Sequence, residues 1–232
     1  MTAAEQVALL GGGRRAPTPS PKSAPTDLTV QLPRVLALGD KYAYDAPHAA
    51  QVAQLACQLF DSLRELHGLP AAYRPVLEHA ALLHDIGYFI NPRRHHRHSA
   101  TLILGDALLD GYPADWRALV ALVARNHRRR PRLGPASWGR RRKAAALMLS
   151  ALLRMADGLD YAHDGQGRLA RVDVGPTSVR LEVSGVRVTP LRRVLARKAD
   201  LFPQVFGREL GIYPADPDAR RAPRRLPAAR RG

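Results

Sequence analysis

The chain is poor in the residues on which several common explanations depend. It has a single cysteine, Cys57, among 232 residues. One cysteine excludes an intramolecular disulfide and any zinc site built on paired thiolates. Set among Leu55, Ala56 and Leu59, it reads as a buried thiol. Aromatic residues make up only 6% of the chain and few lie in its basic runs, which argues against the stacking platforms of a nucleic-acid binder. No apolar run approaches the ~20 residues of a membrane-spanning helix, and the N-terminus lacks a basic-then-apolar layout ahead of a cleavage site. A cytoplasmic, reducing compartment is expected, with neither membrane nor nucleic acid as partner. There is also no Walker loop, no glycine-rich dinucleotide turn and no Ser-His-Asp order. Gly11-Gly12-Gly13 is followed by no helix signal.

Negative charge is scarce too. The net charge is +16 and the pI about 11.1, and only four of the 36 basic residues are lysines (Lys22, Lys41, Lys143, Lys198). An arginine-biased composition would spread such charge evenly; a polyanionic partner would call for it to be concentrated. From Ala118 to Ala156 there is no acidic residue, and within that stretch lie Arg125, Arg128 to Arg130, Arg132, Arg140 to Lys143 and Arg154. Charge runs are usually solvated faces, but this one is single-signed and adjoins His127. It is expected to form an anion-attracting rim.

What is present is enough for one good core: 46% of the residues are hydrophobic. Residues 1–32, with Gly11 to Arg15 and Pro17-Thr-Pro-Ser-Pro21, are expected to be a disordered leader, and residues 213–232 a basic disordered tail. Between them, apolar residues at three- and four-residue spacing predict helices. The first is capped by Asp45, with Pro47 in its first turn and Val52, Leu55, Leu59, Leu63 and Leu66 on one face, and stops at Gly68. Others are expected over Tyr73 to Gly87, Ala100 to Leu109 (opened at Ser99), Trp116 to His127 (capped by Asp115) and Lys143 to Asp157. From Leu169 the pattern alternates, and Ala170 to Val174 and Val179 to Val183 predict a hairpin around Gly175-Pro176. A helix opened by Thr189-Pro190 reaches about Ala199, and Leu201 to Ile212 packs back. The fold class is therefore mainly α: a helical bundle over 33–165 followed by a small α+β unit over 166–212.

Several polar residues fall where the helices should be apolar. Val76, Ala80 and His84 share a line; so do Leu119, Val123 and His127, and Ala146, Leu149, Leu153 and Asp157. His48 lies one turn before Val52. Asp85 is rotated about 100° from His84, and His98 sits where a helix turns back toward the core. Singly, each fits a hydrogen-bonded core histidine or an exposed loop. Together, His48, His84, Asp85, His98, His127 and Asp157 form a thiolate-free set suited to one or two divalent ions such as Mn, Fe, Co, Ni, Zn or Mg. His48, His84, Asp85 and Asp157 would make a first site; His98 and His127 would hold a second ion or the leaving phosphate, with Asp85 bridging. His84 and Asp85 are the expected catalytic pair. Such a centre suits hydrolysis of phosphate esters or anhydrides, because a metal lowers the pKa of its water and clamps a phosphoryl oxygen. Arg93, Arg94, Arg97, Arg128 and Arg129 are placed by proximity to hold the remaining phosphates.

The order His48, His84-Asp85, Asp157 resembles the HD-domain superfamily of metal-dependent phosphohydrolases. A closer resemblance is to the C-terminal region of exopolyphosphatase/guanosine pentaphosphate phosphohydrolase (Ppx/GppA) proteins. Four stretches carry it: Pro47 to Ala53, Leu82 to Asn91 with His95 to Ser99, Leu152 to Asp160, and Arg197 to Gly207. The resemblance implies a helical HD domain with a small α+β unit behind it. Full-length members carry an N-terminal actin-like domain with the phosphate loops and catalytic carboxylate, for which this chain has no room. Their C-terminal region helps bind the polyphosphate chain and build the homodimer. The expected function is thus a stand-alone HD-type phosphohydrolase acting on polyphosphate, a guanosine polyphosphate or another nucleotide. The alternative is a non-catalytic polyphosphate-binding or regulatory module that works with a separate exopolyphosphatase catalytic subunit.

Overall fold

One helix organises the rest. From Ala145 to Asp160 every residue except Met148 is buried, so α7 (Arg140–Leu159) is wrapped on all sides. In the computed structural model, which describes residues 27–215, the preceding elements are α1 (Leu32–Lys41), α2 (Ala46–Ser62), the short α3 (Arg64–His67), α4 (Tyr73–Leu83), α5 (His95–Gly105) and α6 (Ala114–Arg125). Helix α7 packs against α2, α4 and α6. Their buried residues, among them Val52, Leu59, Leu77, Leu83, Leu119, Val123, Leu149 and Leu153, form one continuous core.

Local chemistry sets the helix ends. Asp45 caps α2, its side chain accepting from the backbone N–H of His48 at 3.1 Å. Gly68, at φ +60°, ends α3 in the left-handed conformation that glycine adopts freely. Several ends differ from the sequence expectation: the helix expected from Asp45 to Gly68 breaks after Ser62, and α5 runs from His95 to Gly105. Helix α4 stops at Leu83, and Asp85 opens a 3-10 turn, Ile86–Phe89. Helix α6 is capped by Pro113 and ends at Arg125, so His127 lies beyond it. Asp115 instead pairs with Arg142 at 3.1 Å. The main part of the expected leader and tail lies outside the described residues. Within the leader's last segment Leu28–Gln31 forms a 3-10 turn capped by Asp27, and Leu28 enters the core.

After α7 come β1 (Arg168–Val174), β2 (Ser178–Ser184), α8 (Val188–Lys198), α9 (Leu201–Phe206) and β3 (Glu209–Pro214). β1 and β2 form the expected antiparallel hairpin, with an irregularity between Leu169 and Arg171. β3 joins β2 in parallel, Val179 opposite Leu210 and Leu181 opposite Ile212. Parallel neighbours require a crossover, and α8 and α9 supply it while packing on α7. The third strand is short, contains Gly211 and ends at Pro214, so its alternation is too weak to announce itself. The fold is mainly α with a small α+β unit, as the sequence indicates. No described helix is long and apolar enough to cross a membrane.

Candidate metal centre

Six side chains converge where five elements end. His48 comes from the first turn of α2, His84 from the end of α4 and Asp85 from the residue after it. His95 opens α5, His127 follows α6 and Asp157 lies in the last turn of α7. They form two trios, His48–His84–Asp157 and Asp85–His95–His127, with donor atoms within 4.8 Å of one another in each. Asp85 joins the trios. Its Oδ2 lies 3.3 Å from His84 Nε2, while its Oδ1 lies 3.2 Å from His95 Nε2 and 3.5 Å from His127 Nε2.

The imidazoles are oriented from behind. The Nδ1 atoms of His84, His95 and His127 lie 2.7, 2.8 and 2.7 Å from the carbonyl oxygens of Ala81, Pro92 and Ala124, in each case three residues earlier. A carbonyl can only accept, so these Nδ1 atoms carry the hydrogen and the Nε2 lone pairs face the centre. His48 Nδ1 is held 2.7 Å from the buried carboxylate of Asp160, whose other oxygen accepts from Gly165 N–H at 3.1 Å. The consequence is a crowd of acceptors. His95 Nε2 and His127 Nε2 lie 3.1 Å apart, and His48 Nε2, His84 Nε2 and Asp85 Oδ1 are buried with no hydrogen-bond partner. Converging, unpartnered nitrogen and carboxylate donors fit a divalent cation, and the orienting hydrogen bonds are those that metal-ligating histidines make.

Charge tells the same story. Burial opposes charging His84, but the carboxylates of Asp85 and Asp157 outweigh it and hold its pKa up at about 9. His127 is pushed down to about 3, chiefly by burial. Burial also works against ionised Asp85, yet His84 and then His127 and His95 hold its carboxyl well below the usual range. The neighbouring imidazoles, and Lys198 beside Asp157, thus favour ionised carboxylates on both Asp85 and Asp157.

The rim is built by rings and cations. Tyr88 stacks on His95 at 4.0 Å and His163 on His48 at 3.6 Å. Arg128 Nη1 lies 3.3 Å from His95 Nε2. Lys198, at the end of α8, places its ammonium 2.7 Å from Asp157 Oδ1. The turn carrying His84 and Asp85 is docked through Ser99, whose hydroxyl accepts from Gly87 N–H at 2.9 Å and donates to His84 O at 2.6 Å.

Of the residues expected from sequence, His48, His84, Asp85, His127 and Asp157 come together. His98 does not; it is half-buried outside both trios, and His95 takes its place. The helix starts earlier than expected because Asn91 caps a 3-10 turn, Pro92–Arg94, that runs directly into α5. That puts His95 in the first turn facing the centre, and His98 most of a turn further round. Of the five expected phosphate-binding arginines, Arg128 reaches the centre; Arg93, Arg94, Arg97 and Arg129 line a neighbouring cleft. Arg154 is no part of a rim: it is buried, bonded to Asn126 O at 2.7 Å, to Asp200 Oδ1 at 2.5 Å and to Arg129 O. Asp160 and Lys198 were not singled out by sequence. The spacing of three between Asp157 and Asp160, one helical turn, is a signal that could have found the former.

These features define a mainly α domain built around a histidine–carboxylate cluster. The chain belongs to the Ppx/GppA phosphatase family, whose domain III matches residues 30–184. Among curated proteins it is similar to the guanosine-5'-triphosphate,3'-diphosphate pyrophosphatase of Aeromonas hydrophila subsp. hydrophila, 33% identical over 123 residues, 50% of this chain and 24% of that protein. The proteins of the same description from Pseudoalteromonas translucida and Aeromonas salmonicida are 33% identical over 95 residues and 35% identical over 83. These two matches cover 38% and 35% of this chain, and 18% and 17% of the relatives. The chain thus spans a quarter or less of the relatives it matches.

Proposed function

We propose that the chain is a metal-dependent phosphohydrolase of HD type, acting on a phosphate anhydride or ester of a polyanionic substrate such as polyphosphate or a guanosine polyphosphate. The relatives' printed name, a guanosine polyphosphate pyrophosphatase, supports that substrate class. The observation that carries the reading is Asp85, one carboxylate whose two oxygens face two separate groups of imidazole nitrogens. His48, His84 and Asp157 would hold one divalent ion, His95 and His127 a second, and Asp85 would serve both. Bound there, such ions would activate water and neutralise phosphoryl charge.

The chain's own groups do the rest. Asp160 fixes the tautomer of His48, and backbone carbonyls fix those of the other three histidines. Arg128 and Lys198 bring cationic charge to the edge of the centre, where they would orient a phosphoryl group. Tyr88 and His163 stack on two of the rings at the edge of the centre. On this reading residues 33–165 are the hydrolase unit, and residues 166–212 complete it by supplying Lys198. The proposed setting is the cytoplasm.

Elemental analysis of the purified protein should find one or two divalent ions per chain. Phosphate release from a substrate panel should require them and should fall by at least 10³-fold in Asp85→Asn with the helical signal intact. Full activity in metal-free protein would overturn the proposal. A second reading, a non-catalytic phosphate-binding module acting beside a separate catalytic subunit, is favoured by one fact: the match is to a single domain of a larger family architecture. Metal-loaded, folded protein that releases no phosphate from any substrate would select it.

A further inference from the structure

The largest fully buried side chain among the described residues is a cation, Arg154 of α7. A guanidinium is costly to bury unless its donors and its charge are matched. Here each nitrogen meets a different partner. Nε donates to Asn126 O at 2.7 Å, Nη2 to Arg129 O and Nη1 to Asp200 Oδ1 at 2.5 Å. The two carbonyls stand on either side of His127 and Arg128. Those are the two residues of the loop after α6 that reach the metal centre, His127 in the second trio and Arg128 at 3.3 Å from His95 Nε2.

A buried ion pair can serve packing alone. Three observations give this one a further role. First, the loop it holds has neither helix nor strand between Asn126 and Gly139, so its shape depends on such bonds. Asn126 ties its base to α6 through N–H to Leu122 O at 3.0 Å, and its side chain closes on Arg132 N–H and O, both at 2.9 Å. Second, Arg129 is held at φ +65°, a left-handed conformation that a non-glycine residue rarely adopts. Such a bend persists where its surroundings fix it, and its carbonyl is the one that Arg154 grips. Third, Arg154 and Asp157 are three residues apart on one face of α7, and the turn between α8 and α9 meets both. Lys198 pairs with Asp157 at 2.7 Å and Asp200 with Arg154, so the charges match crosswise. One docking event therefore fixes a candidate ligand and the arginine that holds the loop of another.

We propose that Arg154 is a positioning residue for the metal centre: it sets the loop that presents His127 and Arg128, and Asp200 of the α+β unit sets Arg154. This rests on the proposed function in taking His127 as a metal ligand and Arg128 as a phosphoryl-orienting group. The α+β unit then reaches both trios, one through Lys198 to Asp157 and the other through Asp200 and Arg154 to His127. A lysine at 154 would keep the charge but not the fork: a single ammonium on a flexible stem lacks the rigid, spread donors that span two carbonyls and a carboxylate.

The test is imidazole NMR of the full chain without metal, following exchange of the Nδ1 protons of His48, His84 and His127. In Arg154→Lys the His127 proton should exchange about tenfold faster, because its loop opens locally, while those of His48 and His84 change less than about twofold. Asp200 is half exposed, so Asp200→Ala should fold normally and show the same pattern more mildly. Asp200→Asn, whose amide oxygen still accepts from Nη1, should restore the wild-type rate. Thermal melting checks folding, and if Arg154→Lys does not fold, the Asp200 pair decides. A His127 signal unchanged in every folded variant, or equal acceleration at all three histidines, overturns the proposal. Cobalt(II) titration of the same proteins should show one ion bound about tenfold more weakly and the other nearly unchanged; equal changes in both, or none, would also overturn it. Wild-type protein that takes up no metal would instead sink the hydrolase reading, while the metal-free spectra would still decide what Arg154 does.

Discussion

Lys198 and Asp157 form an ion pair, Nζ to Oδ1 at 2.7 Å, across the boundary between α8 and the helix that supplies a candidate metal ligand. The ammonium is 38% exposed while the carboxylate is almost fully enclosed. A cation already sits on the ligand oxygen, so the lysine and a metal ion compete for its negative charge. Lys198→Met should strengthen metal binding about three- to tenfold, a free-energy change of roughly 1 kcal/mol. Competition with a chelating fluorophore would measure it. Unchanged or weaker affinity would show that the ammonium does not oppose the metal.

Asp160 touches no shared donor atom, yet it fixes the tautomer of His48. Asp160→Ala should lower metal affinity about 10- to 100-fold, the usual effect of losing such an orienting partner. Asp160→Asn, which can still accept from Nδ1, should recover much of the loss. Equal affinity in all three proteins would mean that His48 is held by packing alone.

Gly87 is required for closeness, not for an unusual backbone. A Cβ there would run into the backbone carbonyl of His95 and the N–H of Ser99. Neither can move without shifting α5. Gly87→Ala should destabilise the protein by about 1–3 kcal/mol, as overpacking typically does, and should separate Asp85 from His95. Denaturant melts and metal content should fall together; a stable variant with full metal occupancy would contradict the docking described here.

His79 offers a pH test away from the metal centre. It is wholly buried, with Nδ1 2.8 Å from the Tyr112 hydroxyl, and burial pushes its pKa down from 6.5 to about 4. Between those values the unfolded chain binds the proton and the folded one does not. Stability is therefore complete above about pH 6.5 and is lost as pH falls toward 4, by up to about 3 kcal/mol for this group. His79→Gln keeps a partner for Tyr112 but cannot titrate. Its stability should vary less with pH over that window than the wild type's, measured by urea melts at successive pH values.

The helical bundle and most of the centre were legible because the helices are amphipathic and the exceptions to their apolar stripes are informative. Asp157 in line with Leu149 and Leu153, and His84 in line with Ala80, each admit a structural role singly; their convergence in one trio sets them apart. Where the pattern depended on a helix boundary it misled. The sequence points to His98 because Ser99 reads as the start of α5, whereas the Asn91-capped turn begins the helix earlier. Arg154 looked like part of a basic surface because sequence shows charge but not the Asp200, Asn126 and Arg129 groups that meet it from elsewhere. Strand β3 depends on pairing with β2, and Lys198 on its contact with Asp157 of α7, which no local pattern encodes.

The order of the ligands along the chain has a consequence during synthesis. Asp85, His95 and His127 all precede α7, whereas the other trio also needs Asp157, and its orienting Asp160 follows still later. A chain leaving the ribosome N-terminus first exposes one complete trio roughly 30 residues before the other. Helices α4 and α6, which flank the first trio, pack against α7, so neither trio is held in its final geometry until the central helix has emerged and seated.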